Sequence, residues 1–127
     1  MEPSIQNYKI EMLSDNQTVK AQHFGSINQQ SLNAAAFEIS VILKTMGWHR
    51  ILGDYREAEL NISHTDLFMV LNKQLEWQPK NTKIATLTKK DQLIDEKNYT
   101  LQVAGVNQMP LKHFYEETEA LEWLRSA

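Results

Sequence analysis

The chain predicts an α/β domain: a single-layer, mixed, mostly parallel five-stranded sheet with four helices. Three observations carry that expectation. Segments of strand period and helix period take turns along the chain. The first two strands follow one another with only a polar turn between them, so one edge of the sheet is expected to be antiparallel. The length, 127 residues, suits one core and no second, so residues 1–127 read as a single domain. The expected order is ββαβαβαβα, with right-handed crossovers between the parallel strands.

Tyr8 to Leu13 alternates, with Tyr8, Ile10 and Met12 on one side and Lys9 and Glu11 on the other. Ser14-Asp15-Asn16-Gln17 is a polar turn cluster. Thr18 to Phe24 alternates again, placing Val19, Ala21 and His23 on one face. Asn28 is a cap for a helix over about Gln29 to Met46, which Gly47 ends. Leu32, Ala35, Ala36, Ile39, Ile42, Leu43 and Met46 form its core stripe, and Ala34, Phe37 and Val41 form a narrower stripe opposite.

His49 to Tyr55 reads as a short strand and Arg56 to Ile62 as a loop. Ser63, three residues before Asp66, starts a second helix running to about Glu76, with Leu67, Phe68, Leu71 and Leu75 inward. Gln78-Pro79-Lys80-Asn81 breaks the chain. Lys83 to Thr88 is a strand, Lys90 to about Asn107 a third helix, Pro110 to Phe114 the last strand and Glu116 to Arg125 the last helix. The acids Glu116, Glu117 and Glu119 suit the positive end of that helix's dipole.

Composition narrows the function classes. Hydrophobic residues make up 42% and charged residues 23%, which places the chain among globular proteins. The net charge is −3 and the basic residues are scattered, so nucleic acid is not an expected partner. The absence of cysteine excludes disulfides, thiolate metal sites and a thiol nucleophile. The N-terminus shows no secretory pattern, and the longest apolar stretch is far too short to span a bilayer. A cytoplasmic location without an integral membrane segment is therefore expected.

No GxSxG, P-loop, GxGxxG or HExxH pattern occurs, so no enzyme activity, metal or cofactor is expected. The candidate ligand-binding residues are Asp54, Arg56, Ser63 and His64. Asp54 and Arg56 place a carboxylate and a guanidinium two residues apart, able to orient a polar ligand or to bond each other. Ser63 stands where free N–H groups favour a phosphate, though serine is also an ordinary cap there. His64 lines up with Phe68, Leu71 and Leu75. Phe37 and Val41 are the interface candidates, because an apolar stripe away from the core needs a second cover.

Several segments together resemble the SpoIIAA-like, STAS-related bacterial domains. They are Ile51-Leu52-Gly53-Asp54-Tyr55-Arg56, then Lys83-Ile84-Ala85, then the run His113-Phe114-Tyr115-Glu116-Glu117-Thr118-Glu119-Ala120-Leu121-Glu122-Trp123-Leu124. The resemblance covers nearly the whole chain in element order, and its C-terminal motif is the distinctive part. It implies regulatory protein contacts and no established enzyme activity. It also implies a place for a phosphorylated serine at the start of the helix after the third strand, which Ser63 occupies. The Asp-Ser-Ser-Gly-like signature of that switch is absent here and the preceding loop is longer.

The function expected is a non-enzymatic regulatory or protein-interaction domain that self-associates or binds a protein partner through the Phe37/Val41 stripe. The alternatives are a binder of a small apolar or amphipathic ligand, and a phospho-regulated switch at Ser63.

Overall fold

The computed structural model describes residues 7–60, 62–90 and 110–126. Five strands form one sheet in the order β1-β2-β3-β4-β5: β1 Tyr8–Leu13, β2 Thr18–Ile27, β3 Arg50–Leu60, β4 Lys83–Leu87 and β5 Leu111–Phe114. β1 and β2 run antiparallel, joined by a 3₁₀ turn at Ser14–Asn16, and the other neighbours run parallel. The mixed sheet with one antiparallel edge is the expected one. Three α-helices stand among the described residues against the four expected: α1 Gln29–Met46, α2 His64–Trp77 and α3 Glu117–Arg125. The helix expected over about Lys90 to Asn107 falls on residues 91–109, which lie outside the described residues.

Side-chain alternation divides the core between the two faces of the sheet. On one face, Val19, Ala21, Ile51 and Ile84 meet Ile39 and Leu43 of α1 and the ring of Trp48. Further along that face, Ile27 and Ala58 meet Leu32 of α1 and Leu67, Val70 and Leu71 of α2. On the other face, Leu52, Ala85, Leu87 and Phe114 receive Ala120 and Leu124 of α3, with Leu121 and Trp123 packed at the margin. The C-terminal motif thus docks α3 as its helical spacing requires.

The helix boundaries follow local chemistry. Asn28 Oδ1 accepts the Ser31 N–H at 3.0 Å and Ser31 Oγ accepts the Asn28 N–H at 3.1 Å, a complete capping box. Gly47 closes α1 at φ 70°, where a residue with a Cβ would be strained. α3 begins at Glu117, one residue later than the start read from sequence, with Glu116 as its cap residue just outside it. In α2 the inward set is Leu67, Val70 and Leu71. Phe68 and Leu75, expected inside, are exposed, and so is His64. The core contact of α2 is narrow, so residues on the flank of the stripe stay wet.

β3 is the main departure from the sequence reading. It does not stop at Tyr55 but runs to Leu60 beside β2, replacing the loop expected from Arg56. The register moves from Gln22↔Asp54 to Phe24↔Glu57, so β3 spends one residue more than β2 there. That bulge reverses the in–out phase of β3 and brings Ala58 to the buried side. β4 and β5 end opposite Asp54, at Leu87 and Phe114, while β2 and β3 continue as a two-stranded ribbon. The sheet therefore has a step at Asp54.

Candidate functional site

The step in the sheet gathers four charged side chains. Lys20 on β2 and Asp54 and Arg56 on β3 are on the face that α3 covers, and the chain turns from β5 into α3 so that Glu117 falls beside them. Both oxygens of Asp54 accept from Arg56, Oδ1 from Nε at 2.9 Å and Oδ2 from Nη2 at 2.8 Å. The Arg56 backbone N–H adds a third bond to Oδ1 at 3.1 Å. Arg56 Nη2 also donates to Glu117 Oε1 at 3.2 Å, and Lys20 Nζ donates to both Glu117 oxygens at 3.1 Å. A planar guanidinium suits this fork, because it donates along two parallel directions at once.

Asp54 is only 2% exposed, and a carboxylate so placed needs these partners. Burial works to raise its pKa, but the Arg56 side-chain and backbone hydrogen bonds and the charges of Arg56 and Lys20 outweigh it. The net effect holds Asp54 below its ordinary value. The Asp54 bonds raise Arg56 in turn, against the opposing pull of its burial. The four groups carry two charges of each sign and saturate one another. The arrangement ties β2, β3 and the start of α3 together.

The opposite face at the same level holds an aromatic stack. His23 of β2 and Tyr55 of β3 lie parallel, with ring centroids 4.6 Å apart and an interplanar angle of 3°, and Tyr8 tilts against His23 at 6.2 Å. Gly53 makes room for it: a Cβ there would stand 3.0 Å from the Tyr55 ring. His23 is 3% exposed, and its buried Nδ1 finds no hydrogen-bond partner among the described residues. Burial drives its pKa down to about 4, against an upward pull from Asp54. Burial likewise pushes the Tyr55 phenol up to about 12. Tyr8 Oη donates to Glu38 Oε2 of α1 at 2.9 Å. Beside this bond a cleft of about 450 Å³ opens between β1 and α1, lined by Tyr8, Lys9, Ile10, Phe24 and Glu38.

The sequence candidates separate into three places. Asp54 and Arg56 stand together at the step. Ser63 and His64 are exposed at the start of α2, beyond the six strand residues from Tyr55 to Leu60. Ser63 Oγ accepts the Asp66 N–H at 3.1 Å, so the hydroxyl serves as the cap. Both α1 and α2 begin just past the paired strand ends Ile27↔Leu60. Phe37 and Val41 are on the outer side of α1, 57% and 49% exposed, with Ala34 exposed one turn before Phe37. The rings of Phe37 and Trp77 of α2 stand near-perpendicular, with centroids 5.6 Å apart. Lys20, Glu117, His23 and Tyr55 were not picked out from sequence as site residues. The shared face of Val19, Ala21 and His23 was the one available signal, and it placed His23 inside.

Among the described residues no group of three or more His, Cys, Asp or Glu side chains is placed to hold a metal ion. No helix among them is long and apolar enough to cross a membrane.

Among the described residues, a mixed sheet with two helices on one face and one on the other defines a small α/β domain. Its fold is SpoIIAA-like. The anti-sigma factor antagonist SpoIIAA in its unphosphorylated form superposes with a TM-score of 0.61 at 16% identity, over 94% of this chain and 99% of that one. An uncharacterised protein from Shewanella loihica with a SpoIIAA-like fold gives 0.62 at 14% identity, over 98% of each chain. An anti-sigma factor antagonist from Mycobacterium paratuberculosis gives 0.63 at 13% identity, over 94% of this chain and 93% of that one. No family model matches the sequence. No curated protein matches it either.

Proposed function

We propose that this chain is a non-enzymatic, cytoplasmic regulatory domain of SpoIIAA-like type that binds a protein partner through the outer face of α1. The observation that carries the reading is the exposed stripe of Ala34, Phe37 and Val41. Two large apolar side chains in one row on a helix, each about half exposed, favour burial against another protein surface. The near-perpendicular Trp77 ring packs against the Phe37 ring and limits its rotamers, which lowers the entropy lost on docking. The likeness in fold to proteins named anti-sigma factor antagonists supports the same class of function. The charged groups at the step speak for architecture over catalysis, because each is already engaged by the others.

A photo-crosslinking residue placed at position 37 or 41 is expected to trap a discrete protein adduct in the native host. The same residue at Glu122, an exposed position on α3, is expected to trap none. Equal adduct patterns at all three positions, or no adducts at any, would remove the reading.

The exposed Ser63 hydroxyl at a helix N-terminus favours a second reading, a phospho-switch. Ser63→Ala is expected to cost about 1 kcal/mol of stability in thermal or urea unfolding, the ordinary worth of a serine cap. If a phosphate there controls the partner, Ser63→Asp keeps the cap and changes the yield of the adduct at position 37. An unchanged yield argues for a cap and nothing more.

A further inference from the structure

The outer edge of the sheet at β1 carries a pairing pattern complementary to itself. Among the described residues β1 pairs with β2 alone, so its other side is an open strand edge. The phase of that edge is fixed by one bond, the Phe24 N–H donating to the Asn7 carbonyl at 2.9 Å. In an antiparallel pair, residues that exchange hydrogen bonds alternate with residues that do not. Asn7, Lys9, Glu11 and Leu13 therefore turn their N–H and C=O groups toward β2, and Tyr8, Ile10 and Met12 turn theirs outward. The edge runs six residues without proline and its pairing with β2 has no register shift, so it lacks two common guards against strand addition.

We propose that a second copy of this chain adds to this edge, β1 against β1, antiparallel about a two-fold axis through Ile10. The occupant follows from charge complementarity. With Ile10 opposite Ile10 of the other copy, Lys9 of each copy faces Glu11 of the other, twice over, and Tyr8 faces Met12, twice over. The outward groups of Tyr8, Ile10 and Met12 then supply the hydrogen bonds, and the Lys–Glu pairs fall at the non-bonded positions, where side chains come closest.

The neighbouring two-fold registers fail on the same chemistry. Centring on Lys9 places lysine against lysine, and centring on Glu11 places glutamate against glutamate. Within each chain Glu11 already stands opposite Lys20 and Lys9 opposite Gln22, so the register centred on Ile10 continues an alternating row across both copies. On the opposite face it covers Met12, which is 43% exposed in the single chain. The product is a continuous ten-stranded sheet with both α1 helices on one side. Phe37 leans toward α2 and Glu38 toward β1, so the outer stripe of α1 stays available. The proposal goes beyond the partner-binding reading and does not rest on it.

Sedimentation velocity of the full chain at low ionic strength tests it, since exposed charge pairs are screened by salt. The wild type is expected to show a concentration-dependent monomer–dimer equilibrium. Lys9→Glu and Glu11→Lys, both at exposed positions, are each expected to weaken the dimer roughly tenfold or more by setting like charges opposite one another. Mixing the two variants is expected to restore a dimer, because one chain then carries two acids on that row and the other two bases. The double variant Lys9→Glu/Glu11→Lys is expected to dimerise as the wild type does, and Phe37→Asp to leave the dimer intact. Wild type that stays monomeric at every concentration reached would overturn the proposal. So would single variants that dimerise normally, a mixture that recovers nothing, or a dimer lost in Phe37→Asp and kept in the β1 variants.

Discussion

Acidification from pH 7 to pH 4 is expected to remove roughly 3 kcal/mol of folding stability through His23 alone. The folded protein holds this imidazole neutral, with its pKa lowered from 6.5 to about 4 by burial. The unfolded chain takes up the proton near pH 6.5, whereas the folded chain refuses it until about pH 4. Between those values the unfolded state binds more protons, so stability falls as the pH falls and is regained as it rises. The depressed Asp54 carboxyl adds a further loss of the same sign once the pH drops through its unfolded value of 3.8. Urea unfolding across pH 7 to 4 measures the slope. His23→Phe is expected to keep the ring on Tyr55 and to flatten the profile between 6.5 and 4. Among the described residues the Nδ1 of His23 has no hydrogen-bond partner to lose. A variant whose slope matches the wild type would show that other groups carry the acid sensitivity.

Leu124→Ala is expected to cost about 2–5 kcal/mol, the range for deleting a fully buried leucine when the surroundings close only in part. Leu124 is 0% exposed and stands with Ala120 against Leu52, Ala85, Leu87 and Phe114. A typical domain has about 5–15 kcal/mol in all, so this single change takes a large share. The loss has a local consequence too. α3 carries Glu117, so loosening its anchor loosens the carboxylate that joins Lys20 to Arg56. Hydrogen exchange is expected to rise first in α3 and at the ends of β4 and β5, ahead of β1 and β2. Uniform acceleration over the whole sheet would mean that α3 is not the separately anchored piece described above.

Much of the fold was legible because periodicity is a local property. The alternation of Tyr8 to Leu13, the Asn28 and Gly47 boundaries of α1, and the spacing of Ala120, Leu121 and Leu124 each need only a few neighbouring residues to read. The same is true of Ser63 as a cap. β3 beyond Tyr55 was not legible, because the one-residue bulge reverses its phase. Arg56-Glu57-Ala58-Glu59 then reads as a polar loop unless β2 is seen beside it. The inward set of α2 was read one row off for a related reason: the apolar residues Leu67, Phe68, Val70, Leu71 and Leu75 span more than one face. Which of them is buried depends on where α1 and the sheet come to rest.

The candidate site divides along the same line. The sequence by itself determined that Asp54 and Arg56 stand two residues apart, able to bond each other, and that Phe37 and Val41 form a row apart from the core stripe. It also determined the self-complementary order of Lys9, Ile10 and Glu11 about a central residue. Only the tertiary structure decided that Glu117, 61 residues from Arg56 and 97 from Lys20, closes the charged group. It alone decided that Arg56 lies on β3 and that His23 and Tyr55 stack across two parallel strands. The physical reason is distance along the chain. Spacing within one element fixes which side chains share a face, but what they meet is fixed by how separate elements pack.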